Sequence, residues 1–223
     1  MKILLILPGG GDPSNEEYKP AYDFVIKKNK ERKLYDDVMI IPLYGHQSYN
    51  DKTNSVTYWD CLKSTEIVRE KFIQLDSDDD ISSIDVFARS GGCFVILMTL
   101  NLYKPKKINK IICYGPATYE SIEYLFKTTF NETRISNIKK GLFIDENTFS
   151  SFRPFEELVS EYDSIYQLII GFGEDDKYSP WTFADKIKEI VTKKYFKNVF
   201  IKKIKGDHVI NTENKEYLKM IFE

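Results

Sequence analysis

The stretch Ile84-Asp-Val-Phe-Ala-Arg-Ser-Gly-Gly-Cys93 runs a short apolar segment into small-x-Ser-x-Gly and then into a nearly unbroken apolar run ending near Leu102. A strand that turns sharply into a helix with a serine at the turn is the context a nucleophile elbow requires. The turn is tight, so the positions two before and two after the serine must be small, and Ala88 and Gly92 occupy them. Ser90 would project at the carboxyl end of the strand, with the helix N-terminus directing partial positive charge at developing anions. The plainer alternative is a strand–helix turn with a capping serine. Cys93, in the same turn, reads as a small buried apolar residue rather than a nucleophile.

A nucleophilic serine needs a base, and the chain has two histidines. His46, in Tyr44-Gly-His-Gln-Ser48, reads as an ordinary loop histidine, exposed or bonded to backbone. His208, in Lys205-Gly-Asp-His-Val209, follows the last strand at the same sheet edge as Ser90. A third group should orient the imidazole. The acids Glu174, Asp175 and Asp176 follow a strand and a glycine turn in Gly171-Phe-Gly-Glu-Asp-Asp-Lys-Tyr-Ser-Pro180. An isolated acidic run is usually a solvated loop. Here serine, acid and histidine come in that order, each on the loop after a successive strand. The chemistry such a set performs is acyl transfer through a covalent intermediate.

The elements that must position these groups are legible as alternating patterns. Ile3–Leu7, Val38–Leu43, Ile84–Ala88, Ile108–Tyr114, Ile165–Gly171 and Val199–Ile204 read as strands: short, rich in branched and aromatic residues, and bounded by turn formers. Helical spacing covers Glu17–Arg32, Val56–Leu75, Gly92–Leu102, Trp181–Val191 and Asn214–Phe222. This alternation predicts an α/β fold with a doubly wound, mainly parallel six-stranded sheet and right-handed crossovers. Residues 118–163 form a long, aromatic-rich interval between the fourth and fifth strands. Two or three helices fit there, for instance around Glu120–Thr129 and Phe155–Tyr162, and the interval reads as a short helical lid over one end of the sheet. Residues 1–223 are expected to form a single domain with that insertion.

With these features in place, the chain resembles the α/β-hydrolase superfamily, whose triad runs Ser…Asp/Glu…His in chain order. The family's acid commonly sits in a Gly-x-x-Asp-x-x-x-Pro-like segment, matched by Gly173 to Pro180, and its histidine in a Gly-x-His context, matched by Gly206-Asp-His208. The resemblance implies a triad of Ser90, Asp176 and His208 and favours Asp176 over Asp175. It also places Ile6-Leu-Pro-Gly-Gly-Gly-Asp12 where the family carries its oxyanion loop, so backbone N–H groups of Gly10 and Gly91 are the implied oxyanion donors. Pro8 stands in place of the family's usual histidine, and Ala88 in place of the usual first glycine of the elbow. The outer strands of the full family sheet are missing, which implies a compact member. The implied activity is a serine hydrolase acting on a carboxylic ester or thioester, with no metal and no organic cofactor. Peptidase and acyltransferase chemistry would use the same groups.

Composition narrows the classes further. The chain of 223 residues carries 32 Lys+Arg against 34 Asp+Glu, a net charge of −2, which argues against a nucleic-acid partner. Three cysteines, Cys61, Cys93 and Cys113, are too few and scattered for a disulfide framework or a zinc site. The first residues supply five apolar positions between Lys2 and Pro8, short of a secretory core of about 7–15 followed by a cleavage site. No run approaches the ~20 apolar residues of a membrane span, so a soluble cytoplasmic protein is expected. Its partner would be a small-molecule acyl substrate, and the sequence does not fix an oligomeric state. Arg89, Arg134 and Arg153 are candidate contacts for a polar or anionic substrate. Asp76-Ser-Asp-Asp-Asp80 resembles half a calcium loop without its turn glycine and reads as a solvated linker. Lys186–Lys205, rich in lysine, reads as a solvent face. Two other readings compete: a Rossmann-like nucleotide-sugar enzyme built on Gly9-Gly-Gly11, which lacks the Gly-x-Gly-x-x-Gly spacing, and a catalytically silent binding protein on the hydrolase scaffold.

Overall fold

Strand β1 (Lys2–Leu7) is apolar along its whole length after Lys2, and Ile3 through Leu7 are fully buried. Leu4 and Ile6 point into one core while Ile3, Leu5 and Leu7 point into another, the alternation that makes a continuous apolar run a strand covered on both faces. The computed structural model describes residues 1–9, 19–45, 49–50, 55–56, 60–128, 146–163, 165–208, 210 and 216–223. The remaining strands are β2 (Asp37–Ile40), β3 (Tyr49–Asn50), β4 (Ser55–Val56), β5 (Ser83–Arg89), β6 (Ile108–Tyr114), β7 (Gln167–Gly173) and β8 (Val199–Ile204). β3 and β4 pair antiparallel as a small ribbon. The other six form one sheet in the order β2-β1-β5-β6-β7-β8, with every neighbouring pair parallel.

That order decides where a site can form. The chain steps outward from β1 to β2, then returns to the far side of β1 as β5, so the direction of winding reverses between β1 and β5. Loops leaving those two strands diverge, opening a crevice at the carboxyl ends of the sheet. Leu7 at the end of β1 lies opposite Ala88 on β5, which brings the Pro8–Gly9 turn beside Ser90. A dinucleotide-binding sheet instead carries a third strand outside the second, which the described sheet does not have.

The helices are α1 (Lys19–Arg32), α2 (Cys61–Asp76), α3 (Gly91–Leu102), α4 (Tyr119–Thr128), α5 (Glu146–Ser151), α6 (Phe155–Ser160), α7 (Trp181–Lys193) and α8 (Tyr217–Phe222). Residues of α1 and α8 pack on one face of the sheet; α2, α3, α6 and α7 pack on the other. Pro20 is the second residue of α1, within the first turn, where a missing N–H costs no helical bond. No helix among the described residues is long and apolar enough to cross a membrane.

Several boundaries differ from the sequence reading for physical reasons. The apolar stripe from Val56 onward predicts a helix starting there, but Val56 pairs with Tyr49, and the helix begins at Cys61, capped by Asp60, which accepts from the Lys63 N–H at 3.0 Å. Strand β7 starts later than expected and keeps both its glycines: Ile165 is 91% exposed, while a Cβ on Gly171 would stand 2.5 Å from the Met220 sulfur. Asp76 is no solvated linker residue. Its carboxylate accepts from the Tyr103 hydroxyl at 2.7 Å and from the N–H groups of Lys106 and Lys107 at 2.9 and 3.2 Å, fastening the end of α2 to the turn before β6. Between β6 and β7, Phe152 and Phe155 stand edge-on to Phe94 of α3 with centroids 4.4 and 5.9 Å away, and Leu158 and Val159 are buried beside them. The later part of the interval thus packs its apolar side chains against α3 within the core cluster. The Glu120–Thr129 helix is found as α4; residues 129–145 and 164 lie outside the described ones.

Candidate active site

Ser90 sits between β5 and α3 with φ 47° and ψ −116°. A non-glycine residue with positive φ outside a regular turn costs on the order of 1–3 kcal/mol and persists where its surroundings enforce it. The surroundings here are specific. The Ser90 N–H donates to the Tyr114 carbonyl at 3.0 Å, and the Ser90 carbonyl accepts from the Cys93 N–H at 3.0 Å. Gly92 lets the two loops close: a Cβ there would lie 2.5 Å from the Leu7 carbonyl oxygen and 2.6 Å from that of Pro8. Across the crevice, a Cβ on Gly9 would lie 3.0 Å from the Cβ of Ser90. The N–H groups of Gly91 and Gly92 open α3 and have no acceptor within the helix.

The three groups expected from the sequence meet. His208 Nε2 is 3.0 Å from Ser90 Oγ, and His208 Nδ1 is 3.0 Å from Asp176 Oδ2. The Asp176 side chain is fully buried and the His208 side chain 12% exposed. Asp176 is fixed by its own turn: Oδ1 accepts from the N–H groups of Tyr178 and Ser179 at 2.8 and 2.7 Å, leaving Oδ2 for the imidazole. Ser179 Oγ donates to the Pro116 carbonyl at 2.6 Å, tying this turn to the loop after β6. Asp175 is exposed, and its N–H donates to the Gly206 carbonyl at 2.9 Å, so it supports the histidine loop through backbone. The close approach of the loops after β7 and β8 requires glycine, since a Cβ on Gly173 would stand 2.4 Å from the Gly206 oxygen.

The other expected residues are not part of the Ser90–His208–Asp176 contacts. Arg89 is buried at 5% exposure, with Nε donating to the His208 carbonyl at 3.3 Å. Arg153 forms a two-point pair with Glu161, its Nη1 and Nη2 at 2.9 and 2.5 Å from the carboxylate oxygens, and borders a cavity of about 660 Å³ between α2 and α3. Gly91 begins α3 and is buried. Gly10, Arg134 and His46 lie outside the described residues. Cys93 is fully buried, and burial pushes its thiol well above the ordinary range.

Some residues around the imidazole have no local sequence signal. Gly115, at φ 54°, follows β6, and a Cβ there would stand 3.1 Å from both Asp176 Oδ2 and His208 Nδ1. The ring of Tyr178 lies 5.2 Å from the imidazole, tilted by 54°. Tyr178 also borders a cavity of about 620 Å³ shared with Thr118, Ser121, Lys177, Thr182 and Phe183. The Gly115-Pro116 pair after a strand marks a turn, but only the fold brings it to the acid and the histidine.

No family model and no curated protein matches this sequence. Solved structures do match in shape. Est1E from Butyrivibrio proteoclasticus, in a structure with bound ferulic acid, is 15% identical over 100% of this chain and 87% of its own, with a TM-score of 0.66. Bromoperoxidase from Bacillus anthracis is 14% identical over 100% of this chain and 92% of its own, at 0.64. The peroxisomal α/β-hydrolase Lpx1 from Saccharomyces cerevisiae is 14% identical over 100% of this chain and 76% of its own, at 0.63. A fully parallel sheet wound in this order, with a serine turn after β5 and matches of this extent, gives the chain the α/β-hydrolase fold.

Proposed function

We propose that the protein is a serine hydrolase that cleaves a small-molecule carboxylic ester or thioester through an acyl-enzyme on Ser90. The observation that carries this reading is the unbroken sequence of contacts Ser90 Oγ–His208 Nε2 and His208 Nδ1–Asp176 Oδ2, both 3.0 Å, starting from a strained serine at a strand–helix turn. A nucleophilic serine aligned with its base and an orienting carboxylate is the arrangement acyl transfer requires.

In this mechanism His208 Nε2 takes the Ser90 proton as Oγ bonds to the substrate carbonyl carbon. The buried Asp176 carboxylate keeps the other proton on Nδ1 and stabilises the imidazolium that forms. The carbonyl oxygen, now an anion, turns to the Gly91 N–H at the start of α3 and to the N–H of Gly10, the second donor expected from the sequence. Each such donor contributes about 10²–10³ in rate. His208 then returns its proton to the leaving alcohol or thiol. Water, activated by the same imidazole, attacks the acyl-enzyme and releases the acid. The cavity bordered by Tyr178, whose ring lies 5.2 Å from the imidazole, has hydroxyls, Lys177 and Phe183 that suit an acyl or alcohol group with a polar end.

The experiment is a panel of p-nitrophenyl esters and acyl thioesters against wild type, Ser90→Ala and His208→Ala. Hydrolysis lost in both variants supports the reading. Turnover that survives in Ser90→Ala overturns it, and a wild type that turns over none of the panel favours the silent binding protein.

A further inference from the structure

Arg89 is a buried cation at the base of the site that none of these steps uses. It immediately precedes the serine, and its side chain is directed toward the face covered by α1 and α8. There burial pushes up the phenols of Tyr22 and Tyr217, and its charge offsets part of that rise. Its Nε donates to the carbonyl of His208 at 3.3 Å, and its Nη1 lies 3.6 Å from the point a Cβ on Gly9 would occupy. One residue earlier on the same loop, the Asp207 carbonyl accepts from the Tyr114 hydroxyl at 2.7 Å. Two consecutive carbonyls of the histidine loop are thus held from beneath by side chains at the ends of β5 and β6.

That loop needs holding. Gly206, at φ 120°, is its pivot, and no regular element runs through Gly206–His208. A guanidinium removed from water costs several kcal/mol unless its donors are satisfied, and a Leu or Met would fill the same space without that cost. A fork of donors in rigid geometry is what a guanidinium offers in return.

We propose that Arg89, together with Tyr114, is a positioning residue that clamps the Asp207–His208 backbone to the ends of β5 and β6, keeping the imidazole in line with Ser90 while bracing the Gly9 turn from the same side. The proposal rests on the serine-hydrolase reading above. It assigns Arg89 to the base rather than to the substrate contact expected from the sequence.

The test uses Arg89→Gln, Arg89→Lys, Tyr114→Phe and the Arg89→Gln/Tyr114→Phe pair, read as kcat and KM on p-nitrophenyl acetate and as the rate of fluorophosphonate labelling. Displacing a reacting group by about 1 Å can cost on the order of 10²-fold, so Arg89→Gln should lower kcat and labelling by roughly that factor. KM should stay within about two-fold, because binding is untouched. Arg89→Lys should recover part of the loss, since its ammonium can reach the same carbonyl. The double variant should lose less than the product of the single losses, because both side chains hold one loop. Tyr114→Phe removes one oxygen from a packed ring, and carries the test if Arg89→Gln does not fold. The clamp is overturned if the folded variants keep kcat and labelling within about two-fold of wild type, or if KM rises at constant kcat, the signature of a substrate contact. Ser90→Ala separates the two claims. If it is inactive while Arg89→Gln is normal, only the clamp fails; if it is as active as wild type, both fail.

Discussion

Replacing Gly92 by alanine is the sharpest perturbation available, because what the added methyl meets is backbone. Its carbon would stand 2.5 Å from the Leu7 oxygen and 2.6 Å from the Pro8 oxygen, where real contacts of this kind do not fall below 3.0 Å. The end of β1 must therefore retreat by at least 3.0 − 2.5 = 0.5 Å, and it cannot do so freely, since Leu7 is registered against Ala88 in the buried sheet. Overpacking of this kind costs about 1–3 kcal/mol. For a chain of this size each kcal/mol lowers Tm by about 2–4 °C, so a fall of roughly 2–12 °C is expected. Catalysis should suffer more. The segment that moves leads into Gly9, which faces Ser90, and if the proposed oxyanion donors follow it, displacing them should cost about ten- to a hundred-fold in kcat. Thermal unfolding by circular dichroism and ester hydrolysis at 25 °C, where the variant remains folded, measure the two effects separately. A Gly92→Ala protein with wild-type Tm and wild-type kcat would refute the argument that the elbow depends on this backbone contact.

Asp176→Asn can keep the two N–H bonds to its Oδ1 but presents an amide to His208 Nδ1, favouring the wrong tautomer; kcat should fall by about 10⁴ with the fold intact, and a loss under ten-fold would count against the assignment. Phe155→Ala should cost about 3–5 kcal/mol in urea unfolding, because Phe155 is fully buried against Phe94; a change below 1 kcal/mol would mean that α6 belongs to a detachable cover. Alkaline titration should be heterogeneous. Burial raises the Tyr217 phenol to about 12, and the hydrogen bond to Asp76 raises Tyr103 to about 12, both from an ordinary 10.0. A raised phenol pKa stabilises the fold below pH 10 and loses that contribution as pH climbs toward 12, so tyrosinate absorbance at pH 11 should be lower in native than in denatured protein. Simultaneous titration of all 15 tyrosines near pH 10 would contradict this.

What the sequence made legible was whatever depends on local pattern. The four inner strands β1, β5, β6 and β7 show as apolar runs because both their faces are covered, and the small residue at position 92 shows because the turn admits nothing larger. The serine, the acid and the histidine come together because each follows a sheet strand, and parallel strands bring all such loops to one edge. Choosing Asp176 over Asp175 needed the family resemblance, and its physical cause is the turn that buries one carboxylate and exposes its neighbour. What stayed hidden depends on pairing at long range. Val56 carries a helical apolar pattern, yet its pairing with Tyr49 places it in a ribbon. The aromatics of residues 118–163 signal a core, but only the fold shows that Phe152 and Phe155 meet Phe94 of α3. Arg89 looks like a substrate contact on charge alone, and only the return of the last loop to the end of β5 gives it the His208 carbonyl as a partner.

The central claim is that Ser90 is the nucleophile. Intact-mass and peptide-mapping analysis of the protein after reaction with a fluorophosphonate tests it most directly. The account predicts a single adduct on the peptide carrying Ser90, absent from Ser90→Ala and formed at least about 10³-fold more slowly in His208→Ala. An adduct on another residue, or undiminished labelling of Ser90→Ala, would contradict it.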